Sequence, residues 1–316
     1  FKQKTAYEIM PSLVGSEMCI RDSYIIERHF KLSLSSKNIY EKFLMEIIKS
    51  QANLISKWMS AGFIHGVMNT DNTCLSGETI DYGPCAFLDN FDYNKVFSSI
   101  DYQGRYSYKN QPNIILWNLT RFAETILPLI DNNLNKSIKK AEEILNEFAS
   151  IYESNWISIM GYKLGIDEAN KTDKNLIEEF LTLMQNQQLD FTNSFYSLSF
   201  LIEKDQIEKE GPPKSHRIYS KIKSSDWYAK WTKRLNINKK NLKKILKTLL
   251  INNPSIIPRN HIVEKVLNDA IYENKKDSLN DFLNALNDPY KLRTFDDPYT
   301  KPPSPNEEVT QTFCGT

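Results

Sequence analysis

Residues 65–72 read HGVMNTDN, and TIDYGP follows at 79–84. Together they bring a histidine, two aspartates and an asparagine into one short span. Asn72 and Asp81 offer hard oxygen ligands of the kind that hold Mg²⁺ or Mn²⁺. Mg²⁺ is commonly bound by few protein oxygens plus substrate phosphates, so these two residues suffice as metal ligands. Asp71 then remains available to orient or deprotonate a nucleophile. This is the parts list of the larger lobe of a kinase-like phosphoryl-transfer site. His65 is read as a structural histidine bonded to loop backbone rather than as a ligand or base.

The flanking pattern says which elements must position these residues. Over 37–62, Ile39, Phe43, Ile47, Leu54 and Trp58 fall near one helical face, and Gly62 is suited to end the helix. Residues 73–88 read as short β-compatible pieces around Gly77 and Gly83. Two strands turning at LSGE would bring Asn72 and Asp81 to one mouth. Residues 112–130 return to a helical apolar run with Pro112 in its first turn. Residues 135–166 form one long amphipathic helix or two, and 174–187, 238–252, 260–273 and 277–287 read as helices. Pro and Gly at 211–213 mark a loop, and the Pro-rich tail 297–316 is expected on the surface. The expected fold class is mainly α with a small β element.

Composition sets outer bounds. The 316 residues are 41% hydrophobic and 25% charged, which are values of a globular chain with a real core. A formal charge of +1 gives no global pull toward nucleic acid or anionic lipid. No apolar run reaches membrane-span length. Cys19, Cys74, Cys85 and Cys314 show no zinc or disulfide spacing. A reducing, cytoplasmic setting follows as the expectation. In residues 221–247 lysines alternate with Trp227, Tyr228 and Trp231. That pattern is read as a packed aromatic face beside a solvated basic one, not as a nucleic-acid surface. The first 23 residues lack a regular period, and PSLVGSEMCIRDS resembles a translated adapter peptide. Residues 1–23 are therefore expected to be foreign or disordered, with the fold in 24–316.

Kinase-fold enzymes acting on small molecules often read H-G-D-x-x-x-x-N, then I-D-F-G. Here His, Gly and Asn keep that frame and Tyr82 replaces the Phe. The third position is Val67, and an aspartate stands instead at Asp71. The motifs HGVMNTDN, TIDYGP, FLDNFD and DYQGRYSYKNQPNIILWNL resemble the selenoprotein O family of kinase-like protein adenylyltransferases. The likeness continues through DFTNSF (190–195), NPSIIPRNHIVE (253–264), NDPY (287–290) and TFCGT (312–316).

The resemblance implies a protein-kinase-like fold that transfers AMP from ATP to Ser, Thr or Tyr hydroxyls of proteins. Asp71 would be the base, Asn72 and Asp81 the Mg²⁺ ligands, and Asp81 would also lie beside the ATP phosphates. The partners implied are ATP and protein substrates, without nucleic acid or membrane. The family's smaller lobe, with its Gly-rich loop, lysine and arginines, has no counterpart upstream of Tyr24. The chain therefore reads as the larger lobe with a helical extension, weak or inactive alone. Two rivals stand beside this reading, a conventional γ-phosphoryl kinase and a non-catalytic pseudokinase scaffold. Some relatives carry a redox cysteine in the loop before D-x-Q-G-R-Y. Phe97 stands near that place here, which puts a disulfide with Cys314 in doubt. Asp89, Asp92 and Asp101 suit either added acidity or loop capping. Arg105 suits either a phosphate contact or an acid partner, and Cys74 and Cys85 suit packing.

Overall fold

The computed structural model describes residues 16–207 and 217–313. Helix α1 (Ser16–His29) leads through a 3-10 turn (Lys31–Ser35) into α2 (Ile39–Ala61). Helices α3 (Gln111–Ile130) and α4 (Leu134–Lys163) pack with α2 to form the central layer. Helix α1 begins inside the stretch whose sequence shows no period. The remainder of that stretch, 1–15, lies outside the described residues.

Helix α2 buries Phe43, Leu44, Ile47, Ile48, Ile55 and Trp58 along its inner stripe. Ile39 and Leu54, expected on the same face, are half-buried at its edge. The helix stops at Gly62, which adopts a left-handed φ of 69°. Any Cβ there would lie 2.8 Å from Phe191, so glycine is required both for the cap and for the close approach.

The sheet differs from expectation. Strand β1 (Phe63–Ile64) pairs antiparallel with β2 (Ala86–Phe87), Phe63 opposite Phe87. The two strands expected within 73–88, turning at LSGE, are not formed; only 86–87 is strand. The cause is competition for backbone partners. Gln51 Nε2 donates to the Cys74 carbonyl at 2.6 Å, and Ser50 Oγ donates to the Ser76 carbonyl at 3.0 Å. Trp58 Nε1 donates to Thr79 Oγ1 at 2.9 Å. Side chains of α2 thus do the work a ladder would otherwise do.

The second half adds α5 (Lys174–Gln187), α6 (Phe191–Ile207), α7 (Arg217–Lys223), α8 (Asp226–Leu235), α9 (Leu242–Asn252), α10 (Asn260–Tyr272) and α11 (Lys276–Leu286). Helix α6 has no readable amphipathic period because Thr192, Ser194, Ser197 and Ser199 are buried along with its apolar residues. Ser197 and Ser199 bond back to carbonyls of their own helix, which makes their burial tolerable. Helix α9 starts later than the expected 238 because Asn238 and Asn241 bond each other in a turn. In α8, Trp227 and Trp231 are buried and stacked, with Trp227 also stacked on Phe180. The lysines of this segment face outward, where Lys230 pairs with Glu179 and Lys244 with Asp167. Helices α10 and α11 close a small separate cluster around Ile262, Val266 and Phe282.

One buried ion cluster ties the two halves together. Arg259, fully buried, reaches the Asp89 carboxylate just after β2. It also holds Asp190 at 2.7 and 3.1 Å and the Thr300 carbonyl at 3.2 Å. Burial pushes Asp89 up to about 6 against the pull of Arg259. Replacing Arg259 by Met would leave two carboxylates without their cation. The expected cost is about 3–5 kcal/mol in urea unfolding; a loss below about 1 kcal/mol would show that the cluster is not a fastener.

Lys163, at the end of α4, is buried over the Phe195 ring, with Nζ 4.5 Å from the centroid. Burial lowers its pKa to about 7. A folded value below the unfolded one means that stability is lost as pH falls from about 10 toward 7. Lys163→Met is therefore expected to raise the unfolding midpoint most near pH 7. Its advantage over wild type should shrink by pH 10, as followed by thermal unfolding across that range.

Candidate functional site

The loop from His65 to Gly83 begins at β1 and returns to β2, so the short sheet closes its base. His65 is buried at 1% exposure and braces the loop from inside. Its backbone N–H donates to Gln111 Oε1 at 3.0 Å. Nδ1 accepts from the Val67 N–H at 3.4 Å, so Nε2 carries the proton and donates to the Ile80 carbonyl at 2.8 Å. Burial holds its pKa below the ordinary histidine value, with the Ile80 bond and the Asp81 charge opposing. His65 is structural, as its sequence context indicated.

His65 brings the two ends of the loop together, and the expected pair meets above it. Asn72 Nδ2 donates to Asp81 Oδ2 at 2.9 Å and to the Val67 carbonyl at 3.0 Å. These two bonds use both amide hydrogens and leave Oδ1 without a protein partner among the described residues. Asp81 adopts a left-handed φ of 55°, a conformation aspartate tolerates better than most residues. Its Oδ1 accepts from the Gly83 N–H at 3.4 Å. Asp71 sits in the 3-10 turn Thr70–Asn72, exposed, and its carboxylate has no partner among the described residues. Asn72 and Asp81 thus meet at the surface, and the exposed Asp71 immediately precedes Asn72. Among the described residues, no group of three or more His, Cys, Asp or Glu side chains forms a metal cluster.

Several positioning residues were not picked out from the sequence. Asn118 Nδ2 donates to the Met68 carbonyl at 3.1 Å and to Thr73 Oγ1 at 2.8 Å. Gln111 Nε2 donates to the Phe63 carbonyl at 2.9 Å. Tyr106 Oη donates to Asn69 Oδ1 at 2.6 Å. Gln111 and Asn118 lie seven residues apart on the buried face of α3. Polar side chains inside an otherwise apolar stripe were the available signal. Residues 118–120 read NLT, formally a glycosylation acceptor, but the Asn118 amide is buried and engaged, which rules out that use.

The remaining acidic and basic candidates have structural partners. Asp89 pairs with Arg259. Asp92 caps the Asn94 N–H, and Asp101 accepts from the N–H groups of Arg105 and Tyr106. The Arg105 guanidinium lies 4.9 Å from the Trp117 ring centroid and pairs with no acid among the described residues. Cys74 and Cys85 are free and half-buried, and burial raises Cys85 to about 11. Cys314 lies outside the described residues. Thr312 runs alongside the loop at Phe97, its N–H donating to the Phe97 carbonyl at 2.7 Å and its Oγ1 to the Pro84 carbonyl at 2.5 Å. Among the described residues, no helix is long and apolar enough to cross a membrane.

The profile of a family described as protein adenylyltransferase SelO matches residues 18–287. The chain belongs to the SelO family. It is 45% identical over 295 residues to the protein nucleotidyltransferase YdiU of Clostridium perfringens strain ATCC 13124, covering 93% of this chain. It is 44% identical over 293 residues to the protein of the same name from Clostridium botulinum strain 657. The chain spans 58% of the length of each of these relatives.

Asn118→Ala removes two buried donors' worth of restraint, a change of about 1–3 kcal/mol per unsatisfied group. Hydrogen exchange at the amides of 68–73 is expected to quicken about tenfold or more, while α4 exchange stays unchanged. Uniform acceleration across the chain would instead mean that Asn118 supports global folding rather than this loop.

Proposed function

We propose that this chain carries the metal- and base-bearing part of a protein nucleotidyltransferase that moves AMP from ATP to Ser, Thr or Tyr hydroxyls. The observation that carries the reading is the Asn72–Asp81 contact of 2.9 Å, with Asp71, unpaired among the described residues, one residue away. The names of the relatives, protein nucleotidyltransferase, support the same class. A protein-kinase-like fold for the 24–316 region belongs to this proposal. It is supported by the order of the elements, a long helix, the HGVMNTDN loop and a short strand on each side.

The donor set fits Mg²⁺ or Mn²⁺. Asn72 Oδ1 is left open by the two bonds of its amide, and Asp81 offers a carboxylate at the same mouth. Both are hard oxygens, and two of them leave room for water and phosphate oxygens. When bound, such an ion would neutralise phosphate charge on ATP. Asn72 and Asp81 would hold it, with His65 and the Val67 carbonyl fixing their positions from below. Asp71 would accept the proton of the substrate hydroxyl. That oxygen forms its bond to the α-phosphorus as the bond from the α-phosphorus to the bridging oxygen breaks. Pyrophosphate departs with the electron pair. The absence of a carboxylate at Val67, where a conventional kinase keeps its base, favours this course over γ-phosphoryl transfer.

The test uses a chain extended to the length of the relatives, incubated with protein substrate, Mg²⁺ and ATP labelled at the α- or the γ-phosphate. Protein label is expected from α-labelled ATP alone. Asp71→Ala is expected to lower it about 10²-fold or more, and Asp81→Ala to abolish metal-dependent ATP binding. Label from γ-labelled ATP alone would replace this reading with phosphorylation. No label with ATP binding unchanged by Asp81→Ala would replace it with a scaffold.

A further inference from the structure

Away from the Asp71–Asp81 mouth, a cavity of about 490 Å³ opens between the first turns of α3, the C-terminal half of α4 and the start of α5. That volume is within the range of small-molecule sites. Its walls include Tyr93, Tyr108, Phe148, Tyr152 and Trp156. Phe148 and Tyr152, one turn apart on α4, stack on each other with 8° between their planes and 6.1 Å between centroids.

The polar groups of this cavity include donors as well as the carboxylates of Glu153 and Glu178. The Tyr108 hydroxyl is already used, donating to the Met59 carbonyl at 2.5 Å. The Tyr152 hydroxyl has no hydrogen-bond partner among the described residues, and burial raises its pKa, which keeps it protonated. The indole N–H of Trp156, on a buried residue, also has no acceptor among the described residues. Neither donor atom is sealed from solvent, so both are open to a molecule in the cavity. Charged side chains surround these walls. Lys174 pairs with Glu153 and approaches Glu178 at 4.0 Å. Lys109 and Lys171 also line the cavity and make no ion pair among the described residues. Three lysines against two glutamates leave an excess of positive charge, although Lys171 is close enough to help hold Glu153 acidic.

We infer that this cavity is a binding site for a small planar aromatic anion, such as an aromatic carboxylate or sulfonate. Its ring would lie among the aromatic walls, against Tyr93, Tyr152 and Trp156. Its acceptor oxygens would take the Tyr152 and Trp156 donors, and Lys109 and Lys171 would balance its charge. The inference stands apart from the nucleotidyl-transfer reading, because none of these residues belongs to the mouth. The site is nevertheless mechanically close to it. Met59, on the cavity wall, also accepts from Gln111 Nε2 at 3.6 Å, and Gln111 holds the His65 backbone.

The probe is 8-anilinonaphthalene-1-sulfonate, titrated into the folded chain and followed by fluorescence, with neutral N-phenyl-1-naphthylamine as comparison. Saturable enhancement by the sulfonate is expected, with tighter binding than the neutral dye. Leu116→Trp, which crowds the cavity, is expected to weaken it about tenfold. Tyr152→Phe and the pair Lys109→Glu with Lys171→Glu are each expected to weaken it about threefold or more. Circular dichroism and the unfolding midpoint establish that each variant is folded, and the milder Tyr152→Phe and charge variants decide if Leu116→Trp is not. Three results would overturn the site: no saturable enhancement, equal enhancement in the folded variants, or displacement of the dye by ATP with no effect of the variants.

Discussion

His65 uses both ring nitrogens on the loop it starts, accepting from the Val67 N–H and donating to the Ile80 carbonyl. The rest of the candidate site depends on these two bonds. They join the segment that ends in Asn72 to the segment that carries Asp81, in a loop whose only ladder is two residues long on each side. A neutral, buried imidazole suits the task because it is donor and acceptor at once. A protonated ring would lose the Val67 bond. Around it, Gln51, Trp58, Gln111 and Asn118 supply from two helices the bonds that a sheet would otherwise provide. The polar cluster between two apolar segments is thus a loop held by buried side chains, with its outward face left free for Asp71, Asn72 and Asp81.

The helices were readable where burial is one-sided. The α2 stripe, the α3 run after Pro112, and the span 174–187 follow from period and caps, because each sets an apolar face against a polar one. Helix α6 was not readable, since its serines and threonine are buried with its phenylalanines and both faces meet protein. The expected strands at 73–85 failed for a related reason. Gly77 and Gly83 mark turns correctly, but sequence spacing does not show that α2 side chains would take the loop carbonyls. Although the two-strand turn at LSGE expected to bring them together is not formed, Asn72 and Asp81 make the expected contact. The residues that secure it, Gln111 and Asn118, were hidden in a stripe that reads as apolar core.

The C-terminal helices and tail join this core at positions that matter to the loop. Arg259 ties Asp89, directly after β2, to Asp190 at the head of α6. Asn260 Nδ2 reaches the Phe87 carbonyl of β2 at 3.4 Å, and Thr312 reaches Pro84. Strand β2 and the segment after Asp81 are therefore held from α10 and from the tail. The aromatic cavity reaches the other end of the same loop through Met59 and Gln111. A loop with so little ladder of its own draws its shape from elements distant in sequence.

The most direct test of the mouth as a divalent-cation site is paramagnetic broadening by Mn²⁺ in amide spectra of the isotopically labelled chain, recorded with ATP present. The expected result is selective loss of the Asp71, Asn72, Asp81 and Tyr82 amide signals at low Mn²⁺, abolished by Asp81→Ala. Broadening centred on other carboxylates, or unchanged by Asp81→Ala, would contradict the assignment of Asn72 and Asp81 as metal ligands.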